Sequence, residues 1–144
     1  MSDPGWTIKV FVPGEPVAKA RPRMTRTGHV YTPSKTHHYE YKISLLGLKA
    51  MAGKSPLEES LHIDILIVVS VPKSWSEKRK NEALAHQVYP TGKGDLDNFV
   101  KSALDGLNGV IFKDDSQICS MNARKVYGEI PGIHLIVQGL TSPV

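Results

Sequence analysis

The sequence predicts an α+β fold, with a mixed or antiparallel sheet and two or three helices in a single domain spanning residues 1–144. Three observations point there. Residues 61–71, LHIDILIVVSV, are dense in β-branched side chains and almost continuously apolar from Ile65, as a central, well-buried strand requires. Between residues 96 and 107, Leu96, Val100, Ala103, Leu104 and Leu107 recur at helical spacing, with Phe99 on their flank. Further strand signals lie near both ends of the chain, and no repeat, low-complexity tract or linker divides it. A chain of 144 residues is a common size for one compact core.

Taken in order, residues 6–12 (WTIKVFV) place Trp6, Ile8, Val10 and Val12 at alternate positions, with Thr7, Lys9 and Phe11 between them, which predicts a strand closed by PGEP. The following VAKARPRMTRTGHVYTP is too rich in proline and threonine for a helix, and Val30 and Tyr31 fit a short strand after the Thr27-Gly28 turn. A helix is expected over residues 35–51, with Ser34 as N-cap, an apolar stripe of Tyr41, Leu45, Leu48 and Ala52, and Gly53 as its stop. Pro72 closes the central strand. Residues 76–84 are charged and helix-prone, with Ser76 as cap, and 86–94 is a Gly/Pro-rich loop. Asn108 and Gly109 end the next helix, and residues 110–112 form a brief extended piece. Residues 116–127 and 132–139 then read as two closing antiparallel strands around the GEIPG turn.

Charge is segregated along this frame. Residues 16–57 carry eight lysines and arginines against Glu40 alone, whereas residues 95–144 carry four against six acids. The basic half would draw in a phosphate backbone and the acidic half could hold a cation. No apolar run approaches the roughly 18–20 residues that span a bilayer. The first ten residues lack the basic and apolar regions of a secretory signal. The lone Cys119 falls in an expected strand, reads as a small core residue, and fits a reducing cytoplasm.

The densest chemistry lies in GDLDNFVKSALDGLNGVIFKDDSQI, residues 94–118. Where the chain runs extended into the helix, Asp95 and Asp97 would project to one side while Leu96 turns to the core. Lys101 and Asp105 follow at four-residue steps and share the polar face. If the strand near Ser116 lies beside the helix start, Asp115 approaches Asp95 and Asp97. Three such carboxylates repel one another unless a cation neutralises them. Magnesium fits, because it prefers oxygen ligands, keeps several waters and bridges to phosphate. Lys101 would then stabilise the charge of a pentacovalent transition state or protonate the leaving oxygen. A structural account uses the same residues: Asp97 as N-cap, Asp95 at the positive helix end, i,i+4 ion pairs, and Asp114-Asp115 as a plain turn. A calcium loop starting at Asp95 fails, since Val100 stands where glycine is required and Gly106 where the bidentate glutamate belongs.

The run DLDNFVKSALDGLNGVIFKDDSQI resembles the signature of the RusA-type Holliday junction resolvases, small endonucleases common in prophages. That signature has a D-x-D-N pair, a lysine four residues after the second aspartate, an aspartate near the helix end, and D-D before a strand. GEPVAKARPRMTRTGHVYTP is similar to the basic N-terminal segment of many relatives, although longer and more basic than in the smallest ones. The resemblance implies a homodimeric, magnesium-dependent enzyme that cuts four-way DNA junctions in recombination and repair. It places the essential acids on Asp95, Asp97 and Asp115 and the essential lysine on Lys101. Asp114 matches the first member of the acidic pair, and Asp105 the helix-end acid, a scaffold position.

In an extended arm Lys19, Arg21 and Arg23 alternate with Ala20 and Pro22, so all three would face one way as a phosphate-tracking edge, with Arg26 nearby. A solvated basic loop is the bland alternative. No base-reading helix is evident. His37 and His38 read as surface groups; His62, His86 and His134 stand alone and read as structural; Tyr31 and Tyr39 read as packing residues. Two other functions use the same features: a DNA-binding protein without catalysis, and a metal-dependent phosphohydrolase acting on nucleotides or RNA.

Overall fold

The computed structural model describes residues 6–31, 33–92 and 94–140. Residues 1–5, which belong to the segment read for a leader, Thr32 of the Tyr-Thr-Pro run, Lys93, and residues 141–144 lie outside the described residues. The elements are β1 (Ile8–Pro13), β2 (Arg23–Met24), β3 (Val30–Tyr31), α1 (Ser34–Met51), β4 (Leu61–Val69), α2 (Glu77–Leu84), α3 (Leu96–Leu107), a 3-10 turn (Asp115–Gln117), β5 (Ile118–Tyr127) and β6 (Gly132–Gly139). This is the expected α+β composition, with three helices and a mixed sheet. Contacts within the chain gather into two compact units. One, from residues 6–16, 59–92 and 118–140, holds the four-stranded sheet and α2; the other, from 17–58 and 94–117, holds the β2–β3 ribbon, α1, α3 and the 3-10 turn. The chain passes between units four times, so neither is a continuous stretch of sequence. Among the described residues no helix is long and apolar enough to cross a membrane.

In the first unit the strand order is β1-β6-β4-β5, with β4 central as expected. Its inward residues Leu61, Ile63, Ile65 and Ile67 are buried, and Ile65 and Ile67 continue into rows with Leu135 and Val10, and with Ile133 and Val12. Burying each such side chain contributes about 1.5–3 kcal/mol. On the other face His62, Asp64 and Leu66 are half-buried and Val68 is buried, so this face is enclosed only toward the end of the strand. The expected closing hairpin does not form. β5 and β6 lie on opposite sides of β4, β5 parallel to it and β6 antiparallel. Residues 128–131 carry the chain over the end of β4, and the Gly128 N–H donates to the Val69 carbonyl at 3.1 Å. Two antiparallel strands with a short loop look like a hairpin in sequence, but four residues also span the roughly 10 Å across an intervening strand. Cys119 is likewise not a core residue: it is exposed on β5, which forms one edge of the sheet. α2 takes Ser76 as its N-cap, as expected, the hydroxyl accepting from the Arg79 N–H at 3.3 Å.

The second unit is built on α1 against α3. α1 buries Thr36, Tyr39, Ile43, Gly47 and Met51, while Tyr41, Leu45 and Leu48 are 66%, 49% and 56% exposed. The expected stripe therefore faces outward. The buried face is the one carrying Gly47, whose missing side chain admits Leu107 and Val110; a Cβ there would stand 3.2 Å from each. Gly106 on α3 does the same for Ile43, whose Cβ would lie 2.6 Å from an added Cβ. The Ser44 hydroxyl then donates to the Gly106 carbonyl at 2.6 Å. A hydropathy pattern cannot register a contact whose essential feature is the lack of a side chain. α1 also begins one residue earlier than expected, with Pro33 at the N-cap and no side-chain cap bond from Ser34's predecessor. α3 matches its expected span, but its buried face is Phe99, Ser102, Ala103, Gly106 and Leu107; Leu96 is exposed and does not turn into the core. Residues 110–112 form a turn, joined to residue 57 by an isolated bridge at Phe112, and not an extended piece. Tyr31 is exposed on the ribbon, whereas Tyr39 packs inside as expected.

Two measurements test this packing. Gly106→Ala should destabilise by about 1–3 kcal/mol despite the better helix propensity of alanine, because Ile43 is held by its own backbone. Gly47→Ala, which meets only movable side-chain tips, should be close to neutral; equal losses by thermal or urea unfolding would contradict the close-contact account. Burial pushes the Tyr39 phenol up to about 12, the nearby Val17 backbone only partly opposing it, and its hydroxyl has no hydrogen bond of normal geometry among the described residues. The fold thus accommodates the neutral phenol. Stability should hold below the unfolded value near 10 and fall by about 2–3 kcal/mol as pH rises toward 12. Tyr39→Phe should remove that part of the decline in urea titrations at pH 9 and 11.5.

Candidate active site

Every acid and lysine singled out by the sequence lies in the unit of α1 and α3. Gly94, at φ +90, turns the chain into α3 and lies under the Phe99 ring, where a Cβ would stand 2.4 Å from Cζ. That turn makes Asp95 the N-cap. Its carboxylate makes no cap hydrogen bond, and only its carbonyl serves the helix, accepting from the Asn98 and Phe99 N–H groups at 3.1 and 3.2 Å. Asp97 stands in the first turn and is not the cap. Both are exposed at the end of the helix dipole that favours negative charge. Lys101 follows one turn on, also exposed.

The i,i+4 ion pairs that a structural account requires do not form. Neither Asp97 nor Asp105 pairs with Lys101; Asp105 instead pairs with Lys19, its Oδ2 lying 3.1 Å from Nζ. The two aspartates of the 114–115 pair also divide. Asp114 builds the turn: its carboxylate accepts from the Ser116 N–H at 3.1 Å, and its own N–H donates to Gln117 Oε1 at 2.9 Å. Bonds from the Ser116 hydroxyl and backbone hold its carboxyl below the ordinary value. Gln117 Nε2 in turn donates to the Leu57 carbonyl at 2.9 Å, anchoring the turn. Asp115, first residue of the 3-10 turn, keeps its carboxylate exposed and without a partner among the described residues.

The candidate set is therefore three exposed carboxylates and one exposed ammonium, none paired with a described residue. Its oxygen-only chemistry fits a hard divalent cation. Asp95 and Asp97 stand at the start of α3 and Asp115 on the 3-10 turn, and among the described residues no three His, Cys, Asp or Glu side chains converge as a ready metal cluster.

The basic arm is placed differently from the extended row expected of it. Arg21, Arg23 and Arg26 are exposed, and Arg23 pairs across the ribbon with Tyr31. Lys19 turns inward to Glu40 and Asp105. Burial alone would lower its pKa, but the Glu40 and Asp105 carboxylates outweigh burial and leave it raised. Glu40 was not singled out by chemistry, yet its signal was present as the one acid in a strongly basic segment. His62, too, is not alone: its Nδ1 lies 2.8 Å from Ser120 Oγ and its Nε2 3.0 Å from Asp64 Oδ1, which also accepts from Asn122 Nδ2 at 3.1 Å. These groups satisfy one another across the β4–β5 pair, as cross-strand partners do.

Comparison with known proteins adds two findings. Residues 13–138 match the family described as Endodeoxyribonuclease RusA. A Bacillus subtilis (strain 168) protein named Uncharacterized protein YqaN is 32% identical over 140 residues, covering 94% of this chain and 98% of that protein.

Proposed function

From the premise that this chain belongs to the RusA endodeoxyribonuclease family, we propose that it is a magnesium-dependent enzyme that resolves four-way DNA junctions by paired phosphodiester hydrolysis. The observation that carries the reading is a division among neighbouring charges. Lys19, Asp105, Asp114 and Lys113 are committed, Lys113 to Glu58, while Asp95, Asp97, Lys101 and Asp115 are left available on the surface. A purely structural account of the acids would have them paired or capping.

In this reading Asp95, Asp97 and Asp115 hold the cation. The bound magnesium would polarise the scissile phosphodiester and lower the pKa of an attacking water. Lys101, exposed one turn along α3, supplies positive charge to the developing pentacovalent phosphate or a proton to the leaving oxygen. Arg21, Arg23 and Arg26 hold flanking phosphates, a contact to backbone shape rather than to base sequence. Residues 1–144 act as one catalytic domain in the cytoplasm during recombination or repair. Two related nicks require two equivalent sites, which a two-fold homodimer provides.

Asp97→Asn should lower cleavage of a synthetic four-way junction in magnesium by about a hundredfold or more. Binding of the same junction in EDTA should persist or tighten. Unchanged cleavage would take Asp97 out of the catalytic set, and a parent chain that binds the junction without cutting it would leave a DNA-binding protein. Comparing the junction with linear duplex, single strand and RNA tests the substrate class. The junction should be cut preferentially, and equal cutting of linear duplex would overturn the resolvase assignment.

A further inference from the structure

Two residues at the base of the arm are fastened to the helices that flank the candidate site. The Lys19 N–H donates to the Asn98 carbonyl at 2.8 Å, and Asn98 directly follows Asp97 in α3. The Ala20 N–H reaches Thr36 Oγ1 of buried Thr36 on α1 at 3.4 Å, a long contact. The Lys19 ammonium bonds Glu40 of α1 and Asp105 of α3, and the lysine and glutamate side chains are each only 17% exposed. One lysine against two carboxylates leaves that cluster with a net charge of −1, which repels a phosphate. Pro22, with its fixed φ, follows, and then the exposed Arg23 and the ribbon.

We propose that Lys19 is a positioning residue, a latch that locks the base of the arginine-bearing ribbon onto α1 and α3 and so sets where Arg21 and Arg23 stand relative to Asp95 and Asp97. It is not itself a phosphate ligand. Removing the ammonium leaves Glu40 and Asp105 facing each other unneutralised, which drives the arm off its seat. The consequence for catalysis rests on the nuclease reading above; the latch itself does not.

The test compares Lys19→Met, Lys19→Arg and Arg21→Ala in the full chain. Limited trypsin digestion, with fragments weighed by mass spectrometry, follows cleavage after Arg23 and Arg26 relative to cuts elsewhere. Lys19→Met should speed these cuts by about fivefold or more, since the arm opens without the rest of the fold. Lys19→Arg should restore protection. In EDTA, binding of a synthetic four-way junction across a salt series should keep its slope in Lys19→Met, whereas Arg21→Ala should reduce it by about 0.9. Cleavage by Lys19→Met in magnesium should fall about tenfold to a hundredfold in kcat with little change in KM, because the reacting groups are misplaced while phosphate contacts remain. A lowered salt slope with unchanged proteolysis would make Lys19 a phosphate ligand and overturn the proposal, as would Lys19→Met behaving like the parent throughout. If Lys19→Met loosens the whole chain, Lys19→Met/Glu40→Gln/Asp105→Asn removes the repulsion. Arm-specific proteolysis in that triple variant must then still exceed the parent's, and parent-like protection overturns the latch. Proteolysis uses no DNA, so a chain that cuts no junction would refute the nuclease reading while leaving the latch tested.

Discussion

Ile43 occupies the space where a side chain at position 106 would otherwise stand, and the rotation of α3 about its axis follows from that contact. With Gly106 turned to α1, Phe99, Ala103 and Leu107 must follow it into the core. Helical geometry then leaves Asp97 and Lys101 no place but the outer side. The same contact selects the buried face of α1, because the face with Gly47 is the one that can come close, even though it strands Tyr41, Leu45 and Leu48 in solvent. Close backbone approach outweighs the burial of a more apolar stripe. A well-packed interface between helices returns dispersion contacts along its whole length.

The electrostatics of this unit sort its charges into two classes. Lys19, Glu40, Asp105, Lys113, Glu58 and Asp114 are used up in ion pairs or turn hydrogen bonds. Asp95, Asp97, Lys101 and Asp115 pair with no described residue. Drawing Asp105 to Lys19 removes the i+4 acid that would otherwise neutralise Lys101, so one ion pair anchors the arm and leaves a cation available nearby. The arm adds the complementary feature, exposed arginines on a ribbon whose base is tied to the helix that carries the acids.

Much of this was legible in the chain. Strong local signals were read at nearly their true bounds: the central strand, the helix at 96–107, the Ser76 cap and the final strand at 132–139. Each depends on propensity and periodicity among near neighbours. The errors share another origin. The outward stripe of α1 was mistaken for its core because a glycine contact has no hydropathy. β5 and β6 were mistaken for a hairpin because adjacency in sequence does not reveal a strand lying between. The ion pairs of Lys19 have no local signal because its partners, Glu40 and Asp105, are 21 and 86 residues away along the chain.

By itself the sequence determined the inventory: a D-x-D-N start to an amphipathic helix, a lysine one turn on, a second acidic pair, a basic arm, and with them the family. Only the tertiary structure decided which of those charges are available. Availability is a property of pairing, and pairing depends on distances between segments remote in the chain, set here by two glycines that let α1 and α3 meet.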